Sequence, residues 1–242
     1  MRGALGHALL EVASAEDYAR IFKPTAVAAS PKGPSGLSDR PRPFVLRAAG
    51  LSGRTVQPGD HFCFDLHLFD KRAGVLETIT KAFAQWAGLV SVQPSEVTVD
   101  LDAQRAPVSC IRVEFQTPTE LRAGGQSATS EFSVLLARAR DRISTLRSLY
   151  AEGPLEIDFR AFAERARSIK TLSSELRHVA VQRRSGRTGQ RHGIGGFVGS
   201  TVYEGDLAEF IPYLDAAHWT GVGRHCTWGN GEIHTTILNS DF

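Results

Sequence analysis

The chain has 242 residues, of which 42% are hydrophobic, 22% charged and 8% aromatic. That composition supplies a sizeable core and excludes a mainly disordered chain, and at ~100–200 residues per domain it allows one large domain or two smaller ones. The formal charge of +2 hides an uneven layout: residues 1–159 carry 18 basic and 18 acidic side chains, residues 160–191 nine and two, and residues 192–242 one and six.

The N-terminal segment Met1–Leu10 is apolar in part but short, interrupted by His7 and followed by Glu11. It reads as a helix over about 4–13 and not as a secretory signal. Tyr18 to Phe22 follows, then a stretch from Ser30 to Pro43 so dense in Pro and Gly that it predicts a long loop. Phe44-Val45-Leu46 predicts a short strand. Phe62, Phe64, Leu66 and Leu68 alternate with polar residues and predict a half-buried second strand, with His61 and His67 on its solvent face. Val75, Ile79, Phe83 and Trp86 predict a helix over 73–87, and strands are expected at Val97–Val99 and at Ile111, Val113 and Phe115.

Thr117-Pro118 is expected to end that last strand, because the ring restricts the residue before it and lacks a donor. Apolar residues from Phe132 to Leu149 form one stripe and predict a long helix over about 130–150. A short helix near 158–168 follows, then strand-like runs at 170–184 and 194–203. Asp206-Leu207-Ala208-Glu209 resembles a capping box opening a helix to about Ala216, and Glu232 to Leu238 is a closing strand. The second half thus reads β-α-(α)-β-β-α-β, and the first α-β-β-α-β, the same order without its opening strand. Two tandem ferredoxin-like (RRM-like) units of α+β class account for both, at residues 1–105 and 106–242.

Cys63, Cys110 and Cys226 lie 47 and 116 residues apart, which leaves no CxxC pair and points to reduced thiols in a cytoplasmic protein. No run nears the ~18 apolar residues of a membrane span. Eight histidines, at 7, 61, 67, 178, 192, 218, 225 and 234, form no HExxH or dense ligand array, so no metal or cofactor is implied. No nucleophile signature such as Gly-x-Ser-x-Gly is present.

Four features could carry chemistry. Gly221 to Gly231 holds Gly221, Gly223, Gly229 and Gly231 with Arg224 and His225; repeated Gly lets backbone N–H groups converge on an anion, although a plain Gly-rich connector has the same composition. Gly193 to Gly199 lacks the preceding strand and following helix that a dinucleotide turn requires. Arg183, Arg184, Arg187, Arg191 and His192 occupy a ten-residue hairpin tip without interleaved acids, which favours phosphate contact over a merely solvated loop. His192 and His225 stand beside these two loops, where either could hydrogen-bond a phosphate, whereas His7, in the first helix, is by itself an ordinary surface residue.

The tandem halves, Thr117-Pro118, the arginine hairpin with Gly195-Gly196-Phe197-Val198-Gly199, Tyr203-Glu204-Gly205-Asp206-Leu207 and the Val222–Gly231 loop together resemble one family, as do Arg2–Leu9 and Pro43–Leu46. This family is the CRISPR-associated repeat-processing endoribonucleases of the repeat-associated mysterious protein superfamily. The resemblance implies binding of CRISPR repeat RNA and its metal-independent cleavage by 2′-OH attack, leaving a 2′,3′-cyclic phosphate. Implied partners are that RNA and further CRISPR effector subunits. In many relatives a His at or after the first helix transfers the proton, helped by a Tyr or Lys. Here Tyr18 and Lys23 occupy that region without a His, which leaves His7 as the nearest candidate. Relatives also begin with a strand before that helix, and its absence predicts an incomplete first unit. The resemblance further implies that the hairpin residues and Gly221, Gly223, Arg224, His225, Gly229 and Gly231 hold RNA. The alternatives are a non-cleaving repeat-RNA binder and a ferredoxin-like enzyme or regulator that uses the glycine loop for a small anion.

Overall fold

The computed structural model describes residues 1–24, 40–57, 59–102, 106–123, 126–184 and 191–238. The chain divides into two units, Met1–Thr98 with Thr145–Pro154, and Val99–Ser144 with Leu155–Phe242.

In the first unit α1 (Arg2–Val12) buries Leu5, Ala8 and Leu9. α2 (Ala15–Phe22) opens at Ser14, whose hydroxyl accepts from the Asp17 N–H at 3.0 Å, a cap that contributes about 1 kcal/mol. Gly6 is a seat for Phe22: a Cβ there would lie 2.2 Å from the ring. β1 (Phe44–Arg47) and β2 (Asp65–Leu68) pair antiparallel, Phe44 opposite Leu68 and Arg47 opposite Asp65. With only four residues in β1, the alternation from Phe62 to Phe64 finds no partner, and the strand is shorter than its sequence pattern. α3 (Val75–Ala87) is bounded by left-handed Gly74 and Gly88 and packs Val75, Ile79 and Phe83 against Leu5, Leu9, Ile21 and Phe44. The buried Asp70 carboxylate pairs with Arg72 at 2.5 Å and faces Arg20 at 3.9 Å. Burial alone would raise its pKa, but the Arg72 hydrogen bonds and both charges outweigh it and hold the carboxyl below its ordinary value.

The expected strand at Val97–Val99 does not form: residues 88–100 are without regular structure. The second unit shows why. Its four-stranded antiparallel sheet has the order β10-β3-β9-β6 and comprises β3 (Cys110–Thr119), β6 (Lys170–Val179), β9 (Gly196–Glu204) and β10 (Ile233–Ile237). There the closing strand pairs with the opening one, Ile233 opposite Phe115 and Ile237 opposite Ile111. The first unit has no opening strand among its described residues, so a segment at Val97–Val99 has no ladder to join.

Between β3 and β6 the second unit places the short hairpin β4 (Leu121–Ala123) and β5 (Gln126–Ala128), then α4 (Phe132–Tyr150) and α5 (Phe159–Arg167), the latter capped by Asp158. β7 (Gln182–Arg184) pairs with β8 (Arg191–Gly193), and α6 (Ile211–Thr220) precedes β10. The resulting βαββαβ order agrees with the sequence reading. One face of the sheet, with Ile111, Val113, Phe115 and Tyr203, packs on Phe132, Leu135, Leu136 and Ala217. Its aromatic core runs from Tyr203 through Phe132, Phe210 and Phe162 to Tyr213 with ring centroids 4.8–5.3 Å apart.

Two local expectations fail. β3 continues through Pro118 to Thr119, because its ladder to β9 shifts register between Phe115 and Thr119 and so accommodates a residue without an N–H. The capping box at Asp206–Glu209 does not form either. α6 starts at Ile211 after a 3-10 turn, without a side-chain cap, and Glu209 instead accepts from Arg165 at 2.6 and 2.8 Å. Among the described residues no helix is long and apolar enough to cross a membrane.

Candidate functional site

The glycine loop leaves α6 at Thr220 and enters β10 at Ile233, folded against the end of β3. The Arg224 N–H donates to the Glu120 carbonyl at 3.0 Å, Gly231 N–H to the Pro118 carbonyl at 3.2 Å, and Val222 N–H to the Gly231 carbonyl at 2.8 Å. These approaches require glycine at two points. A Cβ on Gly223 would lie 2.4 Å from the Glu120 carbonyl oxygen and one on Gly231 2.0 Å from that of Val222, and both residues have positive φ, 79° and 71°. Asn230 extends the fixation by donating its Nδ2 to the Ile194 carbonyl at 2.7 Å.

Within the loop His225 is left-handed at φ 64° and leads into a 3-10 turn over Cys226–Trp228. Its ring stacks on Trp228, centroids 5.1 Å apart and nearly parallel. The Cys226 and Thr227 N–H groups have no hydrogen-bond acceptor among the described residues, so this left-handed to right-handed step presents successive donors of the kind that cradle anions. Arg224, about half exposed, reaches the Glu120 carboxylate at 3.2 Å, and Arg122 reaches it at 2.9 Å. His225 Nε2 lies 3.6 Å from the same group.

Glu120 is therefore the hub that aims Arg224 and His225. Burial alone would raise its pKa, but hydrogen bonds and charges from Arg122 and Arg224 outweigh it and hold the carboxyl below its ordinary value of 4.5. A lowered pKa means that this stabilisation is present above pH 4.5 and is lost as pH falls through the folded-state value. Glu120→Gln is expected to lower unfolding free energy by about 1–2 kcal/mol near pH 7 and to converge on the parent protein in acid, as read by urea titrations across pH. A constant difference at all pH values would contradict the charge pairing.

Of the hairpin, the structure describes the ladder in which Arg183 faces His192 and Arg184 faces Arg191. Arg187 lies outside the described residues. The Gly193–Gly199 cluster runs straight into β9. The sheet face opposite the core carries Arg112, Glu114 and Gln116 of β3, Ser200 and Val202 of β9, and His234 and Thr236 of β10, with no Phe, Tyr or Trp on it. For stacking a base that face offers the His234 ring and the Arg112 guanidinium in place of the larger aromatic rings, and the loops are the groups suited to phosphate.

In the first unit Tyr18 and Lys23 come together, the Lys23 ammonium 5.5 Å from the Tyr18 ring centroid. His7 sits on the exposed side of α1 and makes no hydrogen bond, ion pair or ring contact with either. Sequence reasoning missed Glu120, Asn230 and Trp228. Glu120 looks like an ordinary strand-end acid, and nothing in the sequence ties it to Arg224, 104 positions away.

Comparison with known proteins adds three findings. Residues 113–233 match the family model of the CRISPR-associated endoribonuclease Cas6, and residues 1–120 match a model of an N-terminal domain. Thermus thermophilus Cas6 in its product complex is similar in fold, with a TM-score of 0.61 at 15% identity over 97% of this chain and 92% of that one; a second structure of Thermus thermophilus Cas6 gives 0.55 at 16% over 97% and 90%. No curated protein sequence matches.

Proposed function

The chain belongs to the CRISPR-associated endoribonuclease Cas6 family, and on that premise we propose that it binds the repeat of a CRISPR transcript in the cytoplasm and cuts it without metal, generating guide RNAs. The 2′-oxygen attacks the adjacent phosphorus, a base takes the 2′-hydroxyl proton, and an acid protonates the departing 5′-oxygen. The products are a 2′,3′-cyclic phosphate and a 5′-hydroxyl. His7 is the proposed proton-transfer residue, with Tyr18 and Lys23 as helpers and cations around the charge that builds on the phosphorane.

The observation that carries the reading is the Gly221–Gly231 loop: Gly223 and Gly231 let it close onto β3, Glu120 aims Arg224, and the Cys226 and Thr227 N–H groups have no acceptor among the described residues. Such an arrangement suits a phosphodiester. Together with Gly221, Gly229 and His225, it forms the proposed RNA contact of the second unit, and Arg183, Arg184, Arg187, Arg191 and His192 form the other. The partners are the repeat RNA and further CRISPR effector subunits. No observation favours the small-anion alternative.

Incubation of the purified protein with its cognate repeat RNA in EDTA is expected to give one cut per repeat and a cyclic-phosphate end. Tight binding without that product identifies the non-cleaving binder. A requirement for added metal overturns the mechanism.

A further inference from the structure

Where α2 ends and the chain returns into β1, a cavity of about 220 Å³ is lined by Lys23, Pro24, Arg40 and Arg42. We propose that Lys23, Arg40 and Arg42 form a phosphate-binding pocket that takes a phosphodiester of bound RNA in the first unit. The proposal rests on the RNA reading above and adds a site to it.

The pocket is built rather than incidental. Arg42 Nε donates to the Phe22 carbonyl at 2.6 Å, and its guanidinium lies 5.1 Å from the Phe22 ring, which is itself seated on Gly6. Between the two arginines, the Pro41 carbonyl accepts from the Tyr150 hydroxyl at 2.8 Å. Burial and the Asp70 charge outweigh the opposing arginines and raise that phenol to about 12, so it stays a donor across the working pH range. Arg40 and Arg42 thus flank a pinned residue, and Lys23, the residue that caps the C-terminus of α2, lines the same cavity. A guanidinium fork held as Arg42 is matches the oxygens of a phosphate and loses little freedom on binding it.

Contacts within the fold engage Arg42 and, through the Tyr18 ring, Lys23, but supply no negative charge to any of the three cations. The carbonyl end of a helix attracts positive charge, and Arg42 already satisfies the Phe22 carbonyl there. Lys23 and Arg40 have no carboxylate within ion-pair distance among the described residues, because the neighbouring acids are engaged elsewhere, Asp17 by Arg20 at 3.2 Å and Asp70 by Arg72 at 2.5 Å. The Arg40 Nε is buried without an acceptor among the described residues. Cations gathered in this way repel one another, and an unsatisfied buried N–H adds its own cost. A bound phosphate relieves both. The cavity is about seven times the ~30 Å³ that a water molecule occupies, which gives a phosphodiester room to enter.

The test is repeat-RNA affinity over a range of salt for the parent protein and for Lys23→Gln with Arg40→Gln, leaving Arg42 to hold α2. The double variant is expected to bind at least tenfold more weakly at low salt, with the slope of log K against log [salt] reduced by about 0.7–1.4. The charge-retaining exchange Lys23→Arg with Arg40→Lys is expected to keep the parent slope. Melting temperature should stay level or rise in the Gln variant, since repulsion is removed. Unchanged affinity and slope overturn the pocket while leaving RNA binding intact; a lowered melting temperature with parent RNA affinity makes the cations structural and overturns it as well. Absence of salt-dependent repeat binding by the parent protein overturns the RNA reading itself, and the pocket with it.

Discussion

His7→Ala is expected to slow single-turnover cleavage of the repeat RNA by about 10²–10⁴, the range in which an acid or base contributes to proton transfer. The structure makes the experiment clean. His7 is on the exposed side of α1, whose buried positions are Leu5, Gly6, Ala8 and Leu9, so removing the imidazole leaves no cavity. Melting temperature and RNA affinity should match the parent, and the loss should appear in the rate of chemistry alone. A parent-like rate would return His7 to the ordinary surface and leave the proton transfer to the Tyr18 hydroxyl and Lys23 ammonium, which already share one contact. Tyr18→Phe then becomes the decisive variant, because it deletes one hydroxyl and keeps the ring under Lys23.

How much of this was legible in the sequence depends on whether the information was local. The βαββαβ order of the second unit was, because period-two runs such as Ile111-Val113-Phe115 and the stripe from Phe132 to Leu149 each declare their own buried face. The glycine loop was visible as composition, whereas the reason for two of its glycines lies in the carbonyls of Glu120 and Val222, which only the closed fold brings near. Val97–Val99 has the residues of a strand and no partner to pair with, a fact about topology rather than propensity. Pro118 departs from its local reading for the same reason: its ring forbids a regular ladder, but the register shift beside it is not written in the residues. The basic pocket joins Lys23 to Arg40 and Arg42, residues far apart in sequence, and a charge count over windows of sequence dilutes it among the 18 basic and 18 acidic residues of 1–159.

The same windowed count places seven net positive charges at 160–191, and the structure pairs two of the cations there with carboxylates. Arg160 pairs with Glu164 at 3.1 Å, and Arg165 pairs with Glu209, a residue of the acidic C-terminal stretch, at 2.6 Å. Cations that are already paired have little left to offer a phosphate. Replacing Arg183, Arg184, Arg187 and Arg191 together by Gln is expected to produce a large loss of RNA affinity, since four cations stand within nine residues of sequence with no acid among them. Each arginine that neutralises a phosphate of single-stranded RNA contributes about 0.7 to the salt slope, so the slope should fall by nearly 3 if all four do. Electrostatic contributions of this kind fade toward 1 M salt, so a slope change of that size means affinity several hundredfold weaker near 0.1 M and almost unchanged near 1 M. The control is Arg160→Gln with Arg165→Gln, which removes two charges of the same segment and is expected to change the slope by less than about 0.7, because Glu164 and Glu209 already compete for them. If the two variants weaken binding equally, the grip belongs to the net charge of the segment and not to the hairpin. If the quadruple variant binds RNA as the parent does, the hairpin has no part in holding it, and the glycine loop with Arg224 carries the contact in the second unit.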